Sequence, residues 1–261
     1  MFEKIIYKLT ITILNKMLRK KDVTRLGSNY GGWCFYDTKN LLGGNIISAG
    51  VGEDVTFDVE LIEKFNCRVF LVDPTPRAKL HYQSIVKRFG KNKKRNEYSK
   101  DGRQSVLTYN LKNVNHDNLK FLTKALAGKT KKNVKFYEPQ NSSHVSHSLI
   151  ENLNSNDSKR FILVDVISLK DLVVQLKLKN IQILKLDIEG SEIDVLKNIF
   201  KTKVIIEQIL VEYDLLKTRK IIDCFKVILI SSKLILNNYD LVNIDDLNFT
   251  FINKSILQNQ L

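Results

Sequence analysis

Three stretches of this chain hold residues whose types and spacing suit chemistry. The first is NIISAGVGEDVTFDVELIEKFNCRVFLVDPTPR, residues 45–77. Gly50 and Gly52 let a ligand approach the backbone with no Cβ in the way. Asp73 ends a second apolar run, where a carboxylate can accept both hydroxyl hydrogens of a ribose. Val55 stands in place of the third glycine of G-x-G-x-x-G, and Glu53 and Asp54 sit where a dinucleotide's pyrophosphate would go. Two carboxylates repel a pyrophosphate and suit a cationic or zwitterionic nucleoside, of which S-adenosylmethionine is the common one. A strand–turn–helix–strand unit without any ligand accounts for the same residues.

The second stretch is IQILKLDIEGSEIDVLKNI, residues 181–199, in which Asp187 closes a continuous apolar run. Glu189 and Glu192 follow, either as site acids or as acids gathered at a helix N-terminus for its dipole. The third is the polar loop 141–160, with His144 and His147. Two histidines at that spacing can hold a metal or act as a base, but no carboxylate partner stands nearby, and an exposed loop without chemistry fits equally. Acids at 187, 189, 192 and 212 could gather a divalent ion, yet nothing in the sequence requires a metal.

The elements that must position these residues follow from periodicity. Residues 45–49 and 69–72 read as strands. Between them Asp54 caps a helix with Val55, Val59, Ile62 and Phe65 inward. Pro76 opens a helix with Leu80, Ile85 and Phe89 inward. Residues 91–104 are a basic, exposed loop. Residues 119–128 read as one strand and its exit, followed by an alternating strand that forms a hairpin on a sheet edge. Residues 161–176 give a strand and a helix capped by Ser168. Residues 181–186 and 204–214 are apolar strands of a central parallel sheet, covered on both faces. Residues 215–236 are mainly helical, and 239–244 with 249–254 form a closing antiparallel pair. Residues 27–44 hold the chain's one tryptophan, Trp33, among five glycines. That segment either closes over a ligand, with Trp33 touching substrate, or forms a hairpin that packs Trp33 in the core.

The chain has 261 residues, 43% of them hydrophobic, enough for one well-buried α/β core. Three scattered cysteines without a close pair suit a reducing compartment and no zinc site. The net charge of +14 points toward nucleic acid or an anionic membrane. Lysine dominates that excess, however, and no arginine-and-aromatic segment of the kind that binds nucleic acid is present. Residues 1–22 are apolar with lysines at intervals, too interrupted to span a bilayer. They form either a helix packed on the domain or a cationic helix lying on a membrane surface. The expected organisation is an N-terminal helical extension over 1–26 and one domain over 27–261, cytoplasmic or membrane-peripheral.

The segments SAGVGEDVTFD, VFLVDPTPR, TKALAG with its hairpin, VDVISLKDLV and LKLDIEGSEIDVL occur in the order and spacing of FkbM-type methyltransferases. The resemblance spans roughly residues 27–255, and LKLDIEGSEIDVL is its most specific part, similar to K-[IV]-D-[IV]-E-G-[AS]-E. The chain departs from the pattern at Ser48, where the family usually has Asp, and at Asp54, where it usually has Gly. The resemblance implies a class I, Rossmann-like α/β fold: an open, mostly parallel sheet with helices on both faces and an antiparallel closing strand. It implies S-adenosylmethionine as cofactor, with Gly50 and Gly52 against it and Asp73 on the ribose. Glu53 or Asp54 would meet the methionyl ammonium, and Ala125 and Leu126 the adenine. Asp187 would lie near the transferred methyl and act as base, with His144 or His147 as the second candidate. Trp33, Glu189 and Glu192 would face the acceptor, a hydroxyl of a sugar or other small molecule. The competing expectations are a non-catalytic module of the same fold and an RNA-binding or RNA-modifying protein.

Overall fold

The computed structural model describes residues 2–138, 147–149 and 160–258. The chain opens with α1 (Phe2–Met17), then the antiparallel pair β1 (Thr24–Leu26) and β2 (Trp33–Phe35). Two strand–helix units follow: β3 (Asn45–Ala49) with α2 (Thr56–Phe65), and β4 (Arg68–Val72) with α3 (Pro76–Val86). After β5 (Leu119–Leu122) come β6 (Ala125–Ala127), β7 (Lys131–Tyr137) and β8 (Phe161–Ser168), which form a separate sheet in the order β6-β8-β7. Next are α4 (Leu169–Leu176), β9 (Asn180–Leu186), α5 (Glu192–Asn198), β10 (Ile205–Glu212) and α6 (Ile221–Leu236). The chain closes with β11 (Tyr239–Asp245), β12 (Asn248–Asn253) and α7 (Lys254–Gln258).

The main sheet has seven strands in the order β11-β12-β10-β9-β3-β4-β5. β5, β4, β3, β9 and β10 are mutually parallel, and β12 runs antiparallel to β10 and β11. Successive side chains on a strand point to opposite faces, so the alternating residues of one strand feed two cores. Ile47, Leu184 and Ile209 face the layer of α1, α4, α5 and α6, where Leu14, Leu172, Leu196 and Val227 are buried. Ile46, Ile183 and Leu210 face α2, α3 and the β1–β2 hairpin through Phe57, Leu61, Ala78 and Phe35. This double burial is why β3, β4, β9 and β10 are continuous apolar runs. From β3 the chain works outward to one edge, then returns through β9 on the other side of β3. Ligands of open α/β sheets bind at the carboxyl ends of strands at such a switch point.

Several expectations need correction. Residues 119–128 are two strands in different sheets, because Lys124 N donates to the Leu122 carbonyl at 2.9 Å and turns the chain between them. On α3 the inward residues are Ala78, His81 and Ile85, while Leu80 is exposed. His81 turns inward because its Nε2 lies 2.8 Å from the Tyr109 hydroxyl, brought there by the segment after α3. The helix α2 begins one residue later than expected, with Val55 at its N-cap. The segment 91–104 is largely exposed, but its far end is not, since Gln104 is buried. Ser168 caps α4 as expected, accepting from Asp171 N at 3.2 Å. Residues 2–26 are joined closely to the rest: α1 packs against α6, Leu14 is fully buried, and β1 pairs with β2.

Candidate active site

The glycine turn leaves β3 in a conformation that only glycine adopts readily: Gly50 and Gly52 have φ of 73° and 51°. A Cβ on Gly50 would stand 1.6 Å from the Asp187 carbonyl oxygen, so the turn and the end of β9 touch through backbone. Asp73 locks the turn. Its Oδ2 accepts from Val51 N at 3.1 Å and Gly52 N at 3.0 Å, and its Oδ1 accepts from the Thr75 amide at 2.8 Å and hydroxyl at 2.6 Å. Asp54 is engaged as fully. Its Oδ1 accepts from Thr56 N at 3.0 Å and Thr56 Oγ1 at 2.7 Å, and its Oδ2 from Ser28 Oγ at 2.7 Å and Gln104 Nε2 at 3.1 Å. It thereby ties the hairpin loop, the start of α2 and the end of the basic segment together. Glu53 points another way and pairs with Arg77.

Across the switch point, Lys185 and Asp187 project from the same side of β9 and its extension. Lys185 is buried, donates to the Gly50 carbonyl at 3.0 Å, stands 3.7 Å from Asp187 Oδ2 and lies 5.0 Å from the centre of the Trp33 ring. The Asp187 side chain keeps 31% of its surface exposed, yet protein atoms crowd its carboxyl. Burial therefore pushes its pKa up, and Glu212 adds to the rise. Lys217, from the 3₁₀ turn after β10, bridges Glu212 Oε1 at 2.9 Å and Asp214. Against a burial that would lower the ammonium's pKa, Asp214 and Glu212 hold it raised. Asp187, Glu212 and Asp214 bring one carboxylate oxygen each within 4.8 Å of one another, a spacing that a cation can share.

Lys185, Asp187, Glu212 and Lys217 line a cavity of about 330 Å³. Of the residues singled out from the sequence, Gly50, Gly52, Glu53, Asp54 and Asp73 line it, as do Ala125 and Leu126 from β6. Asp187, Glu189, Trp33 and His147 line it too. Trp33 sits in a hairpin, buried in the core, as one reading of its segment has it, and it also lines the cavity. His147 stacks on Phe136 of β7, with centroids 5.6 Å apart. His144 lies outside the described residues. Glu192 is not brought to the cavity. It is fully buried in the first turn of α5, and its Oε1 accepts from Ile188 N and Gly190 N, both at 3.0 Å. It shapes the loop that carries Glu189, whose φ of 51° is left-handed.

Sequence reasoning missed Lys185, Lys217, Tyr30 and Phe136 as wall residues. The signal for Lys185 was present, because it lies two residues before Asp187 and so on the same face. Tyr30 reaches the site from the hairpin loop, where it packs on Gly102, and the negative charges of Asp187 and Glu189 add to burial in raising its pKa. No local pattern marks Tyr30, Lys217 or Phe136.

A seven-stranded sheet in this order, with a glycine turn after β3 and acids after β4 and β9, defines a Rossmann-like methyltransferase domain. Residues 36–226 match the model of the methyltransferase FkbM domain, and the chain belongs to that family. Its members generally use S-adenosylmethionine. No curated protein and no solved structure matches the chain.

Proposed function

We propose that this domain transfers a methyl group from S-adenosylmethionine to a hydroxyl of a sugar or other small molecule. One observation carries the reading: an acid-lined cavity in which Asp187 opens directly beside Gly50. The donor set suits a cationic cofactor. Glu53, Asp73, Asp187, Glu189 and Glu212 line the space, against Lys185 and Lys217. A phosphate-bearing cofactor would meet repulsion there.

S-adenosylmethionine, when bound, supplies an electrophilic methyl on a sulfonium. The chain's own task is alignment and proton handling. Gly50 and Gly52 admit the cofactor close to the backbone. Asp73 serves the ribose by exchanging internal donors for hydroxyls, since a carboxylate has about four acceptor positions and all are taken by its own chain. Glu53 faces the ammonium in preference to Asp54, whose acceptor positions are likewise filled. Ala125 and Leu126 wall the adenine. Asp187 accepts the proton of the attacking hydroxyl, with His147 as the second candidate, and Trp33 and Glu189 border the acceptor.

Calorimetric titration with S-adenosylhomocysteine tests the cofactor half without needing an acceptor. Wild type binds, and Asp73→Asn weakens binding roughly tenfold or more, the value of hydrogen bonds to a charged acceptor. Asp187→Asn retains binding but lowers methyl transfer to an accepted sugar by roughly 10²–10⁴-fold. A folded wild type that leaves S-adenosylhomocysteine unbound would overturn the reading in favour of a non-catalytic module.

A further inference from the structure

The layer of α1 and α6 has an outer surface unlike the rest of the molecule. On α6, Ile222, Phe225, Leu229 and Leu236 recur at helical spacing on the solvent side, and each is more than half exposed, Leu236 to 85%. The neighbouring α1, packed against α6, turns Leu14 inward yet leaves Ile5 and Leu9 outside at 56% and 58%. Burial of the inner face therefore does not explain these residues. Isolated exposed apolar side chains are ordinary, but a run of them at helical spacing on helices packed together marks an interaction surface.

The charges around the patch select its partner. On α1, Lys4, Lys8 and Lys16 are exposed against one acid, Glu3. On α6, Lys233 is exposed and lies 5.4 Å from the ring of Phe200, an exposed residue of the turn after α5. The helix's one acid, Asp223, is turned inward and paired with Lys226 at 2.9 Å. Apolar residues projecting outward within a lysine border are the pattern of a helix lying in a membrane interface, with lysine stems reaching up to anionic headgroups. No helix among the described residues is long and apolar enough to cross a bilayer.

We infer that the outer face of α1 and α6 docks on an anionic lipid surface. The placement has a geometric consequence for the cavity. Lys217, in its wall, precedes Ile221 by four residues, so the first turn of α6 and the cavity share one end of the molecule. Docking through α6 brings that end close to the headgroups.

The test is flotation of the full chain with vesicles of phosphatidylcholine alone and of phosphatidylcholine mixed with phosphatidylserine. The chain floats with the mixed vesicles and roughly tenfold less with the neutral ones, and high salt reduces the difference. The double variant Phe225→Glu/Leu229→Glu, checked for folding by near-ultraviolet circular dichroism, loses tenfold or more of the binding. Should that variant fail to fold, Lys4→Glu/Lys8→Glu answers in its place, with a loss confined to the anionic vesicles. Absence of flotation at low salt, or binding that survives these changes, overturns the inference. So does a dimer in sedimentation equilibrium that Phe225→Glu disperses, which would give the face to a second copy of the chain.

Discussion

Asp187 lies under opposed influences. Burial and Glu212 favour its protonated form, Lys185 and Lys217 favour the carboxylate, and the outcome is a group pushed up to about 7. A base must be ionised to accept a proton. As pH falls through a raised pKa the ionised fraction shrinks, so kcat/KM should rise with pH across neutrality and then level. Asp187→Asn should flatten that rise. A wild-type profile without slope between roughly pH 6 and 8 would remove Asp187 from the role. Glu192 invites a different experiment. Burial and the charge of Asp214 hold its pKa well above the ordinary carboxylate range. Its Oε2 has no hydrogen-bond partner among the described residues, while Oε1 accepts from two backbone amides. We predict that Glu192→Gln, neutral and of the same shape, changes stability by less than about 1 kcal/mol. Glu192→Ala orphans two amides and should cost roughly 2–5 kcal/mol by chemical denaturation. A large loss in the Gln variant would mean that the charge itself is needed.

At the scale of elements, α1 is part of the fold's core and not an appendage. Leu14 is fully buried in the same cluster as Leu184 and Ile209, so Leu14→Ala should lower stability by roughly 2–5 kcal/mol, measured by urea unfolding. An effect below about 1 kcal/mol would show that α1 detaches freely. Most elements were legible because their pattern is local. The apolar runs of β3, β4, β9 and β10 follow from burial on both faces, and the cap of α4 from Ser168 and Asp171. The break between β5 and β6 was not legible: residues 119–128 hold no proline, and no glycine before Gly128, and only the tight turn at Lys124 assigns the halves to different sheets. The face of α3 departs from its apolar period for a related reason. His81 is inward because a tyrosine 28 residues later meets it, a contact no period can announce.

Across the whole molecule, the acids of the site were readable because the sheet places the residue after each parallel strand at one edge. Asp73 and Asp187 are such residues. What closes the site, namely Tyr30, Lys217 and Phe136, arrives from a hairpin loop, a 3₁₀ turn and a second sheet. Their meeting depends on three-dimensional paths and leaves no spacing in the sequence. Asp54 shows the same limit from the other side. It was legible as a polar residue at a helix start, but its bonds to Ser28 and Gln104, 26 and 50 residues away, were not. Trp33 is the chain's single indole, and its ring stands in the cavity wall 5.0 Å from the Lys185 ammonium. Its emission therefore comes from one place only, and a guest that replaces water against that ring would change the colour or brightness of the entire tryptophan signal, undiluted by any other.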